Sequence, residues 1–424
     1  MADKVVIVGG GFGGISVAKQ LTSSAFDVTL IDKTNHHLFQ PLLYQVATAA
    51  LSPGDIALPI RSVFTNQRNL KVVLGEVVTI DSTSNIITLK NGNEVPFDYL
   101  VLAPGAQYNY FGNSSWEGHA PGLKTLSNAL KLRENILLSL ERAEQLPSVI
   151  EREPYLTYVV IGGGPTGVEM AGAIAEIAKR NMMRDFRNFN SGETTIYLIE
   201  GASKVLNGYP ESLSEIALRD LRKMGVKVLL NSPVQEITAN GVQLKDKFIK
   251  SPNVIWAAGV SASPILKSLN HELDRAGRVR VGKDLSLQDS PNIFVIGDAA
   301  YVEDSNGKPL PGIAPVALQQ GKFVGKLIRN ELKDKERTDF KYVDKGSMAT
   351  IGRAKAVANI RGLKFSGFFA WILWGFIHVF FLIGFRNRIR VFVEWIWYYI
   401  TFKRGVRLIT SDDSEISDMG LDSE

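Results

Sequence analysis

The sequence predicts an α/β fold with two doubly wound parallel sheets, followed by an apolar, basic C-terminal segment. Two features predict the sheets. A strand, a glycine-rich turn and a helix open the chain and recur near residue 158. Each unit is followed by a strand that ends in an acid. Strands alternating with helices make parallel sheets covered by helices on both faces. The third feature is the clustering of apolar residues and cations after Gly346.

The first unit begins with the strand Lys4–Val8 and the turn Gly9-Gly10-Gly11-Phe12-Gly13-Gly14, then a helix to about Leu21. Gly9, Gly11 and Gly14 satisfy the dinucleotide pattern. The first glycine makes the tight turn, the second lets the backbone approach a pyrophosphate, and the third lets helix and strand pack closely. The helix N-terminus presents unpaired N–H groups and positive dipole to phosphate. The next strand, Val28–Ile31, ends at Asp32, which can accept from both hydroxyls of a ribose. A further strand, Leu100–Leu102, ends in Ala103-Pro104-Gly105, and a helical connector follows at Leu126–Glu144.

The second unit repeats the order. Its strand is Tyr158–Ile161, its turn glycines are Gly162, Gly164 and Gly167, and its helix is Val168–Lys179. Strand Ile196–Ile199 ends at Glu200. An acid there suits a free 2′-hydroxyl and repels a 2′-phosphate, so NADH is expected over NADPH. Glu169 is expected in the first helical turn, near the nicotinamide end of a bound dinucleotide, and Glu176 lies seven residues on along nearly the same face. Strand Val254–Trp256 runs into Ala257-Ala258-Gly259, and Ile293–Ile296 into Gly297-Asp298.

Composition narrows the chemistry. At 424 residues the chain suits two or three domains. It has no cysteine, which excludes disulfide exchange, thiolate metal sites and cysteine-ligated clusters. A redox role therefore requires a bound organic cofactor. Residues 346–410 hold ten Lys/Arg against one acid, Glu394, whereas residues 411–424 hold six acids and no Lys/Arg. The basic character is thus a C-terminal property that points to an anionic membrane surface rather than to nucleic acid. The first strand starts at Lys4, which leaves no room for a secretory signal, so the body is expected in the cytoplasm.

Two dinucleotide units with a late Gly297-Asp298 resemble the two-domain flavoprotein disulfide reductases, over about Asp3–Asn330 and without their redox cysteine pair. Three segments more specifically resemble the bacterial type II NADH:quinone oxidoreductases: Asn35 to Gln45, Gly162 to Glu169, and Trp256-Ala257-Ala258-Gly259. The resemblance implies FAD at Gly9, Gly11, Phe12, Gly13, Gly14, Asp32, Lys33 and His37. It adds Gln45, Val77, Ala103, Gly105, Gly297, Asp298 and Ala317 to the FAD set. It implies NADH at Gly162, Gly164, Gly167, Glu169, Glu200, Ala258 and Gly259. It makes Glu169, Gln319 and Gln320 the catalytic candidates, with a membrane quinone as acceptor. The family's quinone motif, Ala-Gln-x-Ala-x-Gln, reads Ala314-Pro315-Val316-Ala317-Leu318-Gln319 here, so its first glutamine is replaced by Pro315.

Gly367–Phe385 is almost wholly apolar, with His378 its only titratable residue, and Arg386, Arg388 and Arg390 follow. Val391–Phe402 is aromatic-rich, and Lys403, Arg404 and Arg407 follow it. Three arrangements are open: a buried core helix, a membrane span, and helices lying in the interface. The last is favoured, because Trp371, Trp374, Trp395, Trp397, Tyr398 and Tyr399 suit the headgroup zone. His378 reads as a packing or interfacial residue, and the acidic tail 411–424 as disordered.

The expected organisation is an FAD domain in residues 1–125 and 276–345, a connector at 126–155 and an NADH domain at 156–275. A membrane-anchoring region at 346–410 and the tail at 411–424 complete it. The expected location is the cytoplasmic face of the inner membrane, bound monotopically, with a homodimer implied by the resemblance. A soluble reductase of a ferredoxin-like partner and a non-catalytic NADH-sensing membrane scaffold remain as alternatives. Sulfide:quinone oxidoreduction needs cysteines that the chain lacks.

Overall fold

The structure, a computed structural model, describes residues 1–178, 185–331, 335–401 and 406–409. The expected helix end at Lys179, Phe402 with Lys403 and Arg404, and the tail 411–424 lie outside the described residues. The chain forms two compact units.

The first unit comprises Met1–Leu38, Ala57–Gln107 and Val260–Lys345. Its parallel sheet has the order Ile293–Val295, Tyr99–Leu102, Asp3–Val8, Phe26–Asp32, Leu70–Leu74. The central strands carry continuous apolar runs, Val5–Val8 and Leu100–Leu102, because both of their faces are buried. One face carries Ile80, Leu89, Leu266 and Leu287. The turn helix Phe12–Ala18 packs on the long helix Ala314–Glu331. Gly321 allows this approach, since a Cβ there would lie 2.3 Å from Gly13 O. The turn helix is shorter than expected and ends at Ala18 rather than Leu21.

The second unit comprises Phe39–Ile56, Tyr108–Gly259 and Gly346–Glu424. Its parallel sheet has the order Val226–Leu229, Thr195–Ile199, Thr157–Ile161, Asn253–Trp256. Helix Leu126–Gln145 opens on a capping box in which Thr125 and Asn128 satisfy each other's backbone N–H groups. The unit boundaries fall at Gln107 and Val260, where the sequence suggested 125 and 275, and Phe39–Ile56 groups with the second unit.

An antiparallel sheet that sequence reading did not foresee, Ser347–Gly352, Lys355–Ile360 and Leu363–Ser366, joins this unit. It packs on helix Pro165–Glu176 through Gly172, whose Cβ would lie 1.8 Å from Ile351 O. Two helices follow, Gly367–Phe381 and Phe385–Thr401. The apolar run expected over Gly367–Phe385 is therefore broken at Leu382–Gly384. Its helical part is about 22 Å long, short of a ~30 Å hydrocarbon core. No helix among the described residues is long and apolar enough to cross a membrane.

Candidate active site

The two glycine turns are built alike, atom for atom. Gly9 and Gly162 adopt φ of +105° and +110°, a conformation open to glycine. A Cβ on Gly9 would strike Ala103 O at 2.2 Å, and one on Gly162 the Ala257 carbonyl at 2.7 Å. A Cβ on Gly14 or Gly167 would lie within 2 Å of the first turn carbonyl, Gly9 O or Gly162 O. Those four glycines are demanded by the fold itself. Gly11 and Gly164 are different: a Cβ there meets nothing within 4 Å. Each caps its helix with no side-chain hydrogen bond, so open space lies at the helix N-terminus, where N–H groups and dipole favour an anion. A pyrophosphate fits both cradles.

The acids complete the likeness. Asp32 accepts from the Gly10 N–H at 2.5 Å and from the Thr34 N–H and hydroxyl at 2.6 and 2.7 Å. Glu200 accepts from the Gly163 N–H at 2.5 Å and the Ala202 N–H at 2.7 Å. A carboxylate has about four acceptor positions, so Asp32 can still receive one ribose hydroxyl and Glu200 two. The loose sequence spacing of Glu200 comes from the segment that separates two neighbouring strands.

His37 is buried beneath the first turn, its Nδ1 3.2 Å from Gly10 O and its ring edge-on to Phe12 at 4.9 Å. Burial pulls its pKa down to about 4, so it is neutral at ordinary pH. Nδ1–H must donate to the carbonyl, which leaves Nε2 an acceptor, and that atom is buried without a partner. A hydroxyl-bearing ligand fits this vacancy. Lys33 is exposed beside Asp32, and Val77 is half-buried against the sheet core. Gly105 and Gly297 both need positive φ, +71° and +70°, and the methyl of Ala317 abuts Gly297. Asp298 follows on a short 3-10 turn. In the second unit, Gly259 after Ala258 has φ +83° and lies over the Phe111 ring.

The two glutamines sit in different settings. Gln320 is fully buried and accepts from the Gly297 N–H at 2.7 Å, so it braces the turn that presents Asp298. The amide of Gln319 pairs both ways with the Val343 backbone, at 3.0 Å each. Pro315 lies in the first turn of Ala314–Glu331, where a missing N–H costs nothing.

Glu169 is also displaced. Its helix begins at Pro165 and has no acid in its first turn, so Glu169 stands in the second. There it lines a cleft within the second unit, together with Tyr44, Gln45, Glu176, Thr350 and Arg353. Trp371 and Trp374 of Gly367–Phe381 and Trp395 and Tyr398 of Phe385–Thr401 also line the cleft. Burial pushes the Glu169 carboxyl up to about 8, against a weak opposing hydrogen bond from the Thr350 N–H at 3.4 Å. Glu176 accepts from the Arg353 N–H and, at 2.9 Å, from the Tyr398 hydroxyl. Gln45 accepts from Trp395 Nε1 at 2.8 Å and donates to the Tyr44 hydroxyl at 2.8 Å.

The aromatic residues divide between two roles. Trp374 is buried and stacks on Trp395 at 5.3 Å and on His378 at 4.3 Å, whereas Trp397 and Tyr399 are exposed. Trp374 is therefore a cleft wall and not a headgroup anchor. Nδ1 of His378 lies 2.7 Å from Trp374 O, and burial draws its pKa down to about 4, which makes it a packing residue. On Phe385–Thr401 the inward face is Asn387, Val391, Trp395 and Tyr398. Its outward face exposes Phe385, Ile389, Phe392, Ile396 and Ile400.

Two turns of this construction, with a late Gly-Asp, define a two-nucleotide flavoprotein, and residues 3–321 match the pyridine nucleotide-disulphide oxidoreductase family. Residues 345–404 match the NDH2 C-terminal domain. The type II NADH:quinone oxidoreductase Ndh of Mycobacterium tuberculosis is 42% identical over 97% of this chain and 91% of its own. NdhA of the same organism is 43% identical over 96% and 89%. The NDH2 structure from Plasmodium falciparum in complex with NADH has the same fold, with a TM-score of 0.89 at 21% identity, over 97% of this chain and 100% of that one. The chain belongs to the type II NADH:quinone oxidoreductase family.

Proposed function

We propose that this protein transfers two electrons from NADH through FAD to a membrane quinone without pumping protons. The observation that carries the reading is the paired turns, each open at one glycine and each backed by an acid, in a chain that ends in the NDH2 C-terminal domain. FAD, when bound, supplies the chemistry that accepts a hydride from NADH and passes two electrons to a quinone.

Gly11 and the N-terminus of Phe12–Ala18 hold the FAD pyrophosphate, and Asp32 its ribose, with His37, Gly297 and Asp298 completing the site. Gly164 and the N-terminus of Pro165–Glu176 hold the NADH pyrophosphate, and Glu200 accepts from its 2′-hydroxyl. The cleft of the second unit takes the quinone head. Gln45, which the family resemblance sets beside FAD, and Glu169, on the NADH-turn helix, both line it. Below about pH 8 the Glu169 carboxyl holds a proton at Oε that it can donate to a quinone oxygen.

The outward apolar faces of Gly367–Phe381 and Phe385–Thr401, rimmed by Arg386 and Arg390, rest on the cytoplasmic face of the membrane. A homodimer through this region belongs to the same reading and is checked by the mass of the protein in detergent. The main test reconstitutes the protein on sealed anionic vesicles. NADH oxidation that depends on ubiquinone-1 and leaves a lumenal pH dye unmoved supports the reading. A protein that washes off in low salt and reduces only a ferredoxin-like partner contradicts it.

A further inference from the structure

Several polar groups in the cleft wall pair with one another. Trp395 donates to Gln45, Gln45 to Tyr44, and Tyr398 to Glu176. Trp374 Nε1 has no acceptor and no solvent, and among the described cleft residues it is the one buried polar side-chain atom so placed. An indole N–H donates only, so nothing else in its chemistry can compensate. Native proteins keep few such groups, and each asks for a partner. The rest of Trp374 is tightly fixed: it is 2% exposed and stacked between His378 and Trp395. The donor is therefore preorganised and cannot swing out to water.

A quinone head is a flat ring with two carbonyl oxygens, which are acceptors only. The cleft encloses about 60 Å³, room for a few waters and less than such a ring needs. A ring enters only when the less buried wall residues, Trp371 and Tyr398, give way, while Trp374 keeps its place. Resting on the assignment of this cleft as the quinone site, we propose that the Trp374 indole N–H donates a hydrogen bond to one carbonyl of the bound quinone. Trp374 is then a binding residue that sets quinone affinity and orientation, in a cleft that Glu169 also lines. The fixed donor also strengthens its hold as the oxygen gains negative charge.

Trp374→Phe keeps a stacked ring and removes the donor. The holoenzyme is assayed on vesicles of phosphatidylcholine and phosphatidylglycerol, with NADH and either ubiquinone-1 or ferricyanide. The KM for ubiquinone-1 rises about tenfold, the size of one lost hydrogen bond to a buried donor. The NADH KM and ferricyanide turnover stay unchanged. The melting temperature without quinone does not fall, because an unpaired donor has been removed, and the upward shift that ubiquinone-1 gives the wild type shrinks. A ubiquinone-1 KM within about twofold of wild type overturns the proposal and leaves the quinone assignment standing. A lowered melting temperature with equal loss of both activities marks Trp374 as packing and overturns it too. A wild type that reduces ferricyanide but not ubiquinone-1 overturns the assignment beneath it.

Discussion

Replacing Glu169 with Gln separates its proton from its shape. The side chain keeps its volume and can still accept from the Thr350 N–H. It loses the ability to carry a proton. Burial raises the carboxyl from its ordinary 4.5 to about 8, which at about 1.4 kcal/mol per pH unit is on the order of 5 kcal/mol. The native state binds this proton more tightly than the unfolded chain does. The stability contributed by Glu169 is therefore complete below about pH 4.5 and is lost as pH rises through about 8. Glu169→Gln removes that loss, so above pH 8 the variant melts higher than wild type, and below pH 5 the two converge. Quinone turnover behaves oppositely. In the wild type it falls with an apparent pKa near 8, as the carboxyl loses the proton it donates. The variant loses about 10²-fold in quinone turnover and shows no step near 8, while ferricyanide turnover changes little. Melting curves and steady-state rates from pH 5 to 9 decide both points. A variant within about twofold of wild type, with the pH step intact, refutes the proton role.

Four further outcomes are expected. Gly11→Ala folds, because its Cβ meets nothing, but fills the pyrophosphate path; the 450 nm flavin absorbance per protein falls while the melting temperature holds. Gly14→Ala drives a Cβ to within 1.9 Å of Gly9 O, and its loss appears as reduced soluble yield rather than as a lower flavin ratio. Glu200→Ser removes the repulsion toward a 2′-phosphate, so the ratio of kcat/KM for NADPH over NADH rises about tenfold or more. Phe385→Asp with Phe392→Asp places two charges on the exposed apolar face, and co-sedimentation with anionic vesicles falls while ferricyanide turnover persists.

What sequence could reveal follows from how local each feature is. Gly9 and Gly14, and their counterparts Gly162 and Gly167, answer to contacts within a few residues and one adjoining strand, and Gly11 and Gly164 follow at fixed spacing between them, so the pattern carries the geometry. Asp32 and Glu200 end strands that lie beside the opening strand, and their role follows from that register. The cleft was not legible in this way. Gln45, Glu169, Thr350, Trp374 and Trp395 come from five segments far apart in sequence, gathered by an antiparallel sheet that carries no turn motif. Trp374 and Trp397 look alike in a list of interfacial aromatics, and only the face of each helix sends one inward and the other outward. Gln319 and Gln320 stand out by a motif, but their partners, the Val343 backbone and the Gly297 N–H, lie outside it.

The central claim is that electrons pass from NADH through a bound flavin to a quinone. Anaerobic spectroscopy of the purified protein tests it most directly. The account predicts a flavin spectrum near 450 nm that bleaches with one equivalent of NADH and returns when ubiquinone-1 is added. A bound nucleotide without bleaching contradicts the account, and so does a bleached flavin that ubiquinone-1 leaves reduced.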